Sequence, residues 1–542
     1  MRNWKINIVF LFLLLIGAVI IYRLAYLQIV HHDLYRALAQ GQQGLYKPVK
    51  GERGRIFFSG GQMAGINVKT KQIFIYPQDI KNKDSVSESI SFILGQDKES
   101  ILEKISRDTL IEKISNSMSE EQERKIKEMG LDGIHITDNL LRGYPLGSIA
   151  SKVIGFVGGE ESGQYGIEGF YDKDLQGKEE VKGFFKNSSW ADGKDIYLTI
   201  DYNIQYMAEL LLKKSQENLS SEGGQIIIIE PSTGKVLAMA EFPAFDANYY
   251  GKVEKLEDFQ NSSVQKLYEP GSTMKPLTLA SAIDSGSISP ETKFNDPGFV
   301  KIGDRTIENF GKRVFGERTM TEVLEMSINT GAVFAERQTG HDSFFDYLSR
   351  FGFFEKTGID LQGESYSENK KLRTGSDIDF ATASFGQGIE ITPIQLVRAF
   401  SAIANEGKTA RPYVAWKVGE EEIKPEISGQ IISPGTASKV SAMMVSVVEN
   451  GFSKSVKIDG YYIAGKTGTA QVPWSALGVD KKGYSDKTWQ SFIGFFPAFD
   501  PKILMLVKLD NPETSTAEYS AAPVFKEMAK YIIDYYSIPP DY

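Results

Sequence analysis

The chain has 542 residues, with 61 Lys and Arg against 70 Asp and Glu, four histidines and no cysteine. That length exceeds what one hydrophobic core usually serves, so two or more domains are expected, and 41% apolar with 24% charged residues excludes a disordered, collagen-like or polytopic membrane chain. A net charge of −9 is opposite to the footprint of a nucleic-acid binder, and the missing cysteines exclude disulfides, thiolate metal sites and a cysteine nucleophile.

From Ile6 to Leu27 only Asn7 and Arg23 are strongly polar, and Ile8 to Tyr22 is unbroken, close to the ~20 residues that span a bilayer. Arg2 and Lys5 precede this run, which favours an N-terminus kept in the cytoplasm and export of the remaining chain. No small-x-small cleavage site comes after it, so residues 1–27 read as a cytoplasmic tail and uncleaved anchor rather than a removed signal. Residues 28–194 read as an N-terminal pedestal. It holds a Gly-rich stretch ending in Arg53-Gly54-Arg55-Ile56, a short strand at Gln72–Tyr76, and strand and turn from Gly143 to Gly169. Between Lys81 and Met129, Ile101, Leu102, Ile105 and Leu110 recur at helical spacing, which predicts short amphipathic helices with solvated outer faces.

From residue 195 the texture changes. Ile196–Ile200 and Gln225–Ile229 read as strands, the second passing through Pro231-Ser232-Thr233-Gly234 into Val236–Ala240 as a hairpin. Ile204–Ser215 reads as a helix, Thr273 to Ala404 is mostly helical in pattern, and late strands are expected at Tyr461–Ala464, Ser491–Phe495 and Ile503–Leu509. Strands at both ends with helices between them predict one sheet closed by distant segments, an α+β or layered α/β domain over 195–542.

Gly460 to Thr467 satisfies G-x-x-x-x-G-K-[ST], but a phosphate-cradling loop needs a strand before it and a helix after it. Tyr461-Tyr462-Ile463 fill the supposed loop and Gly468, Thr469 and Pro473 come where the helix should run, so the match is discounted. With histidines only at 31, 32, 135 and 341 and no G-x-S-x-G turn, a lysine-activated serine is the remaining route to a hydroxyl nucleophile. Ser-x-x-Lys occurs at Ser263/Lys266, Ser272/Lys275 and Ser367/Lys370, and also at Ser232/Lys235 in the hairpin turn. Only the second stands where a Pro-Gly turn enters an apolar helical segment, which places both side chains on one face at the helix start. Ser327-Ile328-Asn329 and Lys466-Thr467-Gly468-Thr469 come next in order, the latter assigned to the late strand at Tyr461–Ala464. Lys356-Thr357-Gly358 and Ser367-Glu368-Asn369 are decoys, one in a turn and one in a lysine-rich loop.

With S-x-x-K, S-x-N and K-T-G in order, the chain resembles the penicillin-binding proteins, serine transpeptidases that share these motifs with β-lactamases. The resemblance covers nearly the whole length and is to the membrane-anchored, single-activity class B type. Tyr268-Glu269-Pro270-Gly271-Ser272-Thr273, Ser384-Phe385-Gly386-Gln387-Gly388 with Thr392-Pro393-Ile394-Gln395, and Ser491-Phe492-Ile493-Gly494-Phe495 are similar to division-type enzymes. The Asp-Arg that usually comes after Arg-Gly-x-Ile is replaced by Phe58-Ser59, which bears on pedestal contacts rather than catalysis.

The resemblance implies an α+β multidomain fold: an N-terminal transmembrane helix, an extended mixed, dimerisation-like pedestal, and a serine β-lactamase-like transpeptidase domain with an antiparallel sheet flanked by helices. It implies that Ser272 attacks, Lys275 is the base, Ser327 relays the proton, and Asn329 orients lysine and substrate. Lys466 depresses the base, and Thr467, Gly468 and Thr469 align the peptide. Backbone N–H groups of Ser272 and Thr469 form the oxyanion hole. No metal or cofactor is implied. The expected partners are peptidoglycan stem peptides, β-lactams, the bacterial plasma membrane, a SEDS-type glycosyltransferase and divisome proteins, with no nucleic acid. Elongation-type transpeptidase and D,D-carboxypeptidase stay as alternatives, with β-lactamase and β-lactam sensor behind them.

Overall fold

The computed structural model describes residues 4–26, 51–159, 161–182 and 187–542. Residues 1–3 with Arg2, and 27–50 with His31 and His32 at the expected start of the pedestal, lie outside the described residues. Helix α1 covers Trp4–Ala25. Among the described residues no helix is long and apolar enough to cross a membrane.

The chain divides into two compact units. The first comprises Met1–Arg53, Asn67–Gly143 and Gly177–Gly193, and the second Gly54–Ile66, Tyr144–Gln176 and Lys194–Tyr542. In the first, the end of strand β1 (Met63–Ile75) pairs antiparallel with β2 (Glu112–Ser115). Helices α2 (Lys83–Leu94), α3 (Lys98–Ser106) and α4 (Glu120–Glu128) bury Ile90, Ile101, Ile105 and Ile126 against Ile73 and Ile75. The expected helices are there because their apolar residues recur on one face and each is capped: Asn82, Asp97 and Ser119 accept from backbone N–H groups of the first turn. The expected strand at Gln72–Tyr76 is the end of the longer β1, and β2 had no distinguishing pattern. Gly143 to Gly169 differs from the expected strand and turn: two-residue strands at Phe156–Val157 and Gly163–Gln164 alternate with short helices Ser151–Ile154 and Gly166–Phe170.

The second unit is built on a five-stranded antiparallel sheet. Strand β3 (Ile196–Leu198) and helix α5 (Tyr202–Leu219) lead into β4 (Gly223–Ile229), which turns into β5 (Val236–Phe242). Helix α6 (Lys275–Asp284), α7 (Met320–Glu325), α8 (Asn329–Thr339), α9 (Pro393–Ala404) and α10 (Pro434–Glu449) come next. Strands β6 (Ala464–Pro473), β7 (Tyr484–Phe496) and β8 (Ile503–Asp510) then return to the sheet, and α11 (Ala521–Tyr536) ends the fold. The strand order is β5-β4-β8-β7-β6, with β6 at the edge.

The sheet is covered on both faces, so its strands read as continuous apolar runs rather than an alternation. Ile226 and Ile228 pack with Leu211, Leu212, Phe525 and Ile532 of α5 and α11, while Ile227 and Ile229 join Leu277, Leu324, Leu396 and Met444 of α6, α7, α9 and α10. Phe58 is 1% exposed and meets the Tyr202 ring edge-on.

The strand expected at Tyr461–Ala464 is displaced. Gly460 takes φ +87° and turns Tyr461 back onto Ile458, and Tyr462 N–H donates to the Asp541 carboxylate. The ladder therefore begins only at Ala464 opposite Phe495, and Lys466 to Thr469 lie inside it. The phosphate-loop match fails for the same reason: Gly465 is already paired in the strand, opposite Gly494, with the Phe492 ring 2.3 Å from where a Cβ would stand.

Candidate active site

Ser272 lies in a single 3-10 turn, Gly271–Met274, that runs directly into α6, so Lys275 is one turn further along the same face. Pro276 is tolerated there because first-turn N–H groups have no helical partner. Thr319 and Glu322 form a capping box at the start of α7, and Ser327 stands between α7 and α8 at φ +53°. That conformation costs a non-glycine residue roughly 1–2 kcal/mol. It is held by the Ile328 N–H, which donates to Val323 at 2.9 Å, and it re-aims the chain so that Ser327 and Asn329 face Lys275.

Three sequence-predicted side chains, those of Ser272, Ser327 and Asn329, converge on one nitrogen. Lys275 Nζ is 3.1 Å from Ser272 Oγ, 3.1 Å from Ser327 Oγ, 2.8 Å from Asn329 Oδ1 and 2.6 Å from the Ser327 carbonyl. Lys466 Nζ reaches the same Ser327 hydroxyl at 3.0 Å. A neutral amine has two N–H donors and one lone pair. The Ser327 carbonyl and Asn329 Oδ1 can only accept, so they use both donors and leave the lone pair for a serine hydroxyl.

Burial, and then the nearby Lys466 charge, hold Lys275 well below its ordinary value, and burial lowers Lys466 to about 7. Lys275 is 0% and Lys466 1% exposed. Burial without a compensating anion disfavours the ammonium form, so Lys275 is poised to accept a proton.

Gly468 lets the edge strand close on the serine turn. A Cβ there would stand 2.7 Å from Ser491 Oγ, 2.8 Å from Thr273 Cγ2 and 2.9 Å from the Pro270 carbonyl oxygen. From the other side, a Cβ on Gly271 would meet Ala470 Cβ at 3.0 Å and the Thr469 carbonyl carbon at 3.5 Å. Thr467 and Thr469 are half-buried on this strand, and Thr469 Oγ1 accepts from Ala517 N–H at 3.1 Å.

The other matches fall elsewhere. Thr357 N–H and hydroxyl both donate to Glu364 at 2.6 Å, which makes Lys356-Thr357-Gly358 a structural turn. Asn369 N–H bonds back to Ser367 Oγ in a local loop, and Ser263 is buried in the short helix Ser262–Gln265. The groups that orient Asn329 carried no signal in the sequence. Its Nδ2 donates to the Glu308 carbonyl at 3.1 Å, which turns Oδ1 toward Lys275. Beside it, buried Asp296 accepts from Thr330 Oγ1 at 2.6 Å and Asn309 Nδ2 at 2.8 Å. No spacing rule links residues 296, 309 and 330.

Residues 224–530 match the Penicillin binding protein transpeptidase domain, and residues 48–196 the Penicillin-binding Protein dimerisation domain. The chain is 32% identical to Stage V sporulation protein D of Bacillus subtilis, over 95% of this chain and 83% of that protein. It is 27% identical to the peptidoglycan D,D-transpeptidase FtsI of Escherichia coli, over 99% of this chain and 93% of that one. A crystal structure of a putative peptidoglycan glycosyltransferase from Atopobium parvulum superposes with a TM-score of 0.71 at 26% identity, covering 91% of this chain and 99% of that one. Penicillin binding protein 3 of Mycobacterium tuberculosis, solved with aztreonam, shares the fold with a TM-score of 0.72 over 91% and 98% of the two chains at 24% identity.

Proposed function

The chain belongs to the penicillin-binding protein transpeptidase family, and from that premise we propose that it is a peptidoglycan D,D-transpeptidase of septal wall synthesis and a target of β-lactams. The observation that carries this reading is the contact of one buried lysine amine with the hydroxyls of both Ser272 and Ser327.

Ser272 Oγ attacks the carbonyl of the penultimate D-Ala while its proton passes to Lys275. Backbone N–H groups of Ser272 and Thr469 hold the oxyanion, at about 3–4 kcal/mol per donor in comparable acyl transfers. The proton returns through Ser327 to the departing D-Ala amine, and the C–N bond breaks to leave the acyl-serine. An amine of a neighbouring stem then attacks that ester and gives up a proton to Lys275, the acyl C–O bond to Ser272 breaks, and the proton passes from Lys275 to restore the Ser272 hydroxyl. Asn329 holds Lys275 and the substrate amide, and Thr467 and Thr469 receive the terminal carboxylate. The donor peptide lies along β6, the edge strand of the sheet, as an added strand.

A β-lactam enters as a donor mimic whose leaving group stays tethered, so the acyl-enzyme persists. The expected result is that wild type labels covalently with a fluorescent penicillin and Ser272→Ala does not. Labelling of Ser272→Ala overturns the assignment, and rapid loss of label from wild type turns the reading toward a carboxypeptidase or β-lactamase.

The exposed apolar side chains of α1, from Ile8 to Leu24, support an N-terminal membrane anchor, Arg2 and Lys5 before it support a catalytic unit outside the cytoplasm, and family membership supports SEDS-type and divisome partners. Identity to a relative named for a sporulation stage favours a second reading in which the same acyl transfer serves sporulation. Filamentation on depletion supports the septal role, and normal division with failed sporulation supports the second.

A further inference from the structure

Glu269 precedes Ser272 by three residues, is 5% exposed, and has no part in the acyl transfer above. Its carboxylate accepts from the Tyr484 hydroxyl at 3.0 and 3.3 Å and from the Gly388 backbone N–H. Burial pushes the carboxyl up to about 7, with Glu390 adding to the rise and Lys371 opposing it. A buried carboxyl is costly unless its hydrogen bonds are placed, so the segments it joins are informative.

Tyr484 opens β7 and pairs with Pro473, the last residue of β6. It therefore stands at the base of the hairpin 474–483 that joins the edge strand to its neighbour. On its other side the serine turn is fastened by backbone: Tyr268 exchanges hydrogen bonds with Ile391 at 2.9 and 3.0 Å, and Gly271 N–H donates to Gly386 at 3.0 Å. Glu269 thus lies where the serine turn, the 386–391 loop and the hairpin base meet.

We propose that Glu269 is a positioning residue whose carboxylate ties the serine turn to the base of the 474–483 hairpin through the Tyr484 hydroxyl, so that Ser272 and the strand carrying Lys466 and Thr469 keep one spacing during acylation. The proposal rests on Ser272 being the acylated residue. Oxyanion donors on two separate segments stabilise the tetrahedral intermediate only while their separation is fixed. Gly468 brings the strand and the turn into contact, and the Glu269 tie holds them there.

Tyr484→Phe removes the hydroxyl and keeps the ring. Trypsin cleavage after the exposed Lys481 and Lys482, read by fragment mass, should then quicken roughly tenfold, and acylation by a fluorescent penicillin should slow by a similar factor. The Tm should stay within about 2 °C of wild type. Glu269→Gln, which keeps one acceptor oxygen, should retain more of the acylation rate than Glu269→Ala. Wild-type cleavage and acylation rates in Tyr484→Phe overturn the proposal, and so does faster cleavage with unchanged acylation. Cleavage is read without penicillin, so it is independent of the identity of the nucleophile, which Ser272→Ala decides.

Discussion

Lys275 and Lys466 set the chemistry of the site against the stability of the fold. Lys466 is lowered from 10.5 to about 7 by burial, so between those values the unfolded chain holds a proton that the folded chain has lost. Stability therefore rises with pH across that window, and at pH 7 the lysine is a liability. Lys466→Met should raise the Tm by roughly 3 °C or more at pH 7, a gain that shrinks toward pH 10, as calorimetry would register. The same change should cripple acylation and move the acid limb of its residual pH profile upward, because the Lys466 charge helps hold Lys275 down. Stopped-flow acylation from about pH 5 to 9 measures that limb; a limb that stays in place removes Lys466 from the electrostatics of the base.

At the scale of elements, the site exists because an edge strand and a serine turn approach closely. Gly468→Ala should force β6 away from Pro270 and Thr273 and cut acylation by about a hundredfold while the Tm moves little; a wild-type rate would show that the strand tolerates a Cβ there. A second dependence involves chain far from the motifs. Lys152, in the short helix Ser151–Ile154, is 2.9 Å from Glu241 of β5, and both side chains are buried. Glu241 also accepts from Ser262 N–H at 2.8 Å. Lys152→Ala would leave a buried carboxylate unpaired and should cost about 3–5 kcal/mol, visible as an earlier urea midpoint. An unchanged midpoint would mean that the pair adds nothing net. Glu209 and Asp360 hold the same stretch of chain, accepting from Ala150 N–H and the Tyr171 hydroxyl.

For the whole molecule, an anchored enzyme should fractionate with membranes as the full chain. A chain starting at residue 51 should be soluble and acylated at about the wild-type rate, since the site draws on residues 269–517 alone. Recovery of the full chain in the soluble fraction would remove the anchor. That Ser272/Lys275, Ser327/Asn329 and Lys466 are brought together was legible in the sequence because side chains at short spacings survive as local patterns on one turn or strand. The apolar runs of β4, β7 and β8, and the helical periodicity between Lys81 and Met129, were legible because burial imposes a period on any chain. Tertiary structure alone decided where β6 begins, since the turn at Gly460 depends on Ile458 and Asp541. It also decided that residues 54–66 and 144–176 fold with the C-terminal unit, that Glu308 orients Asn329, and that Asp296 and Asn309 hold Thr330 beside it. Those outcomes rest on contacts between residues tens to hundreds of positions apart, and such contacts leave no mark on the local pattern of either partner.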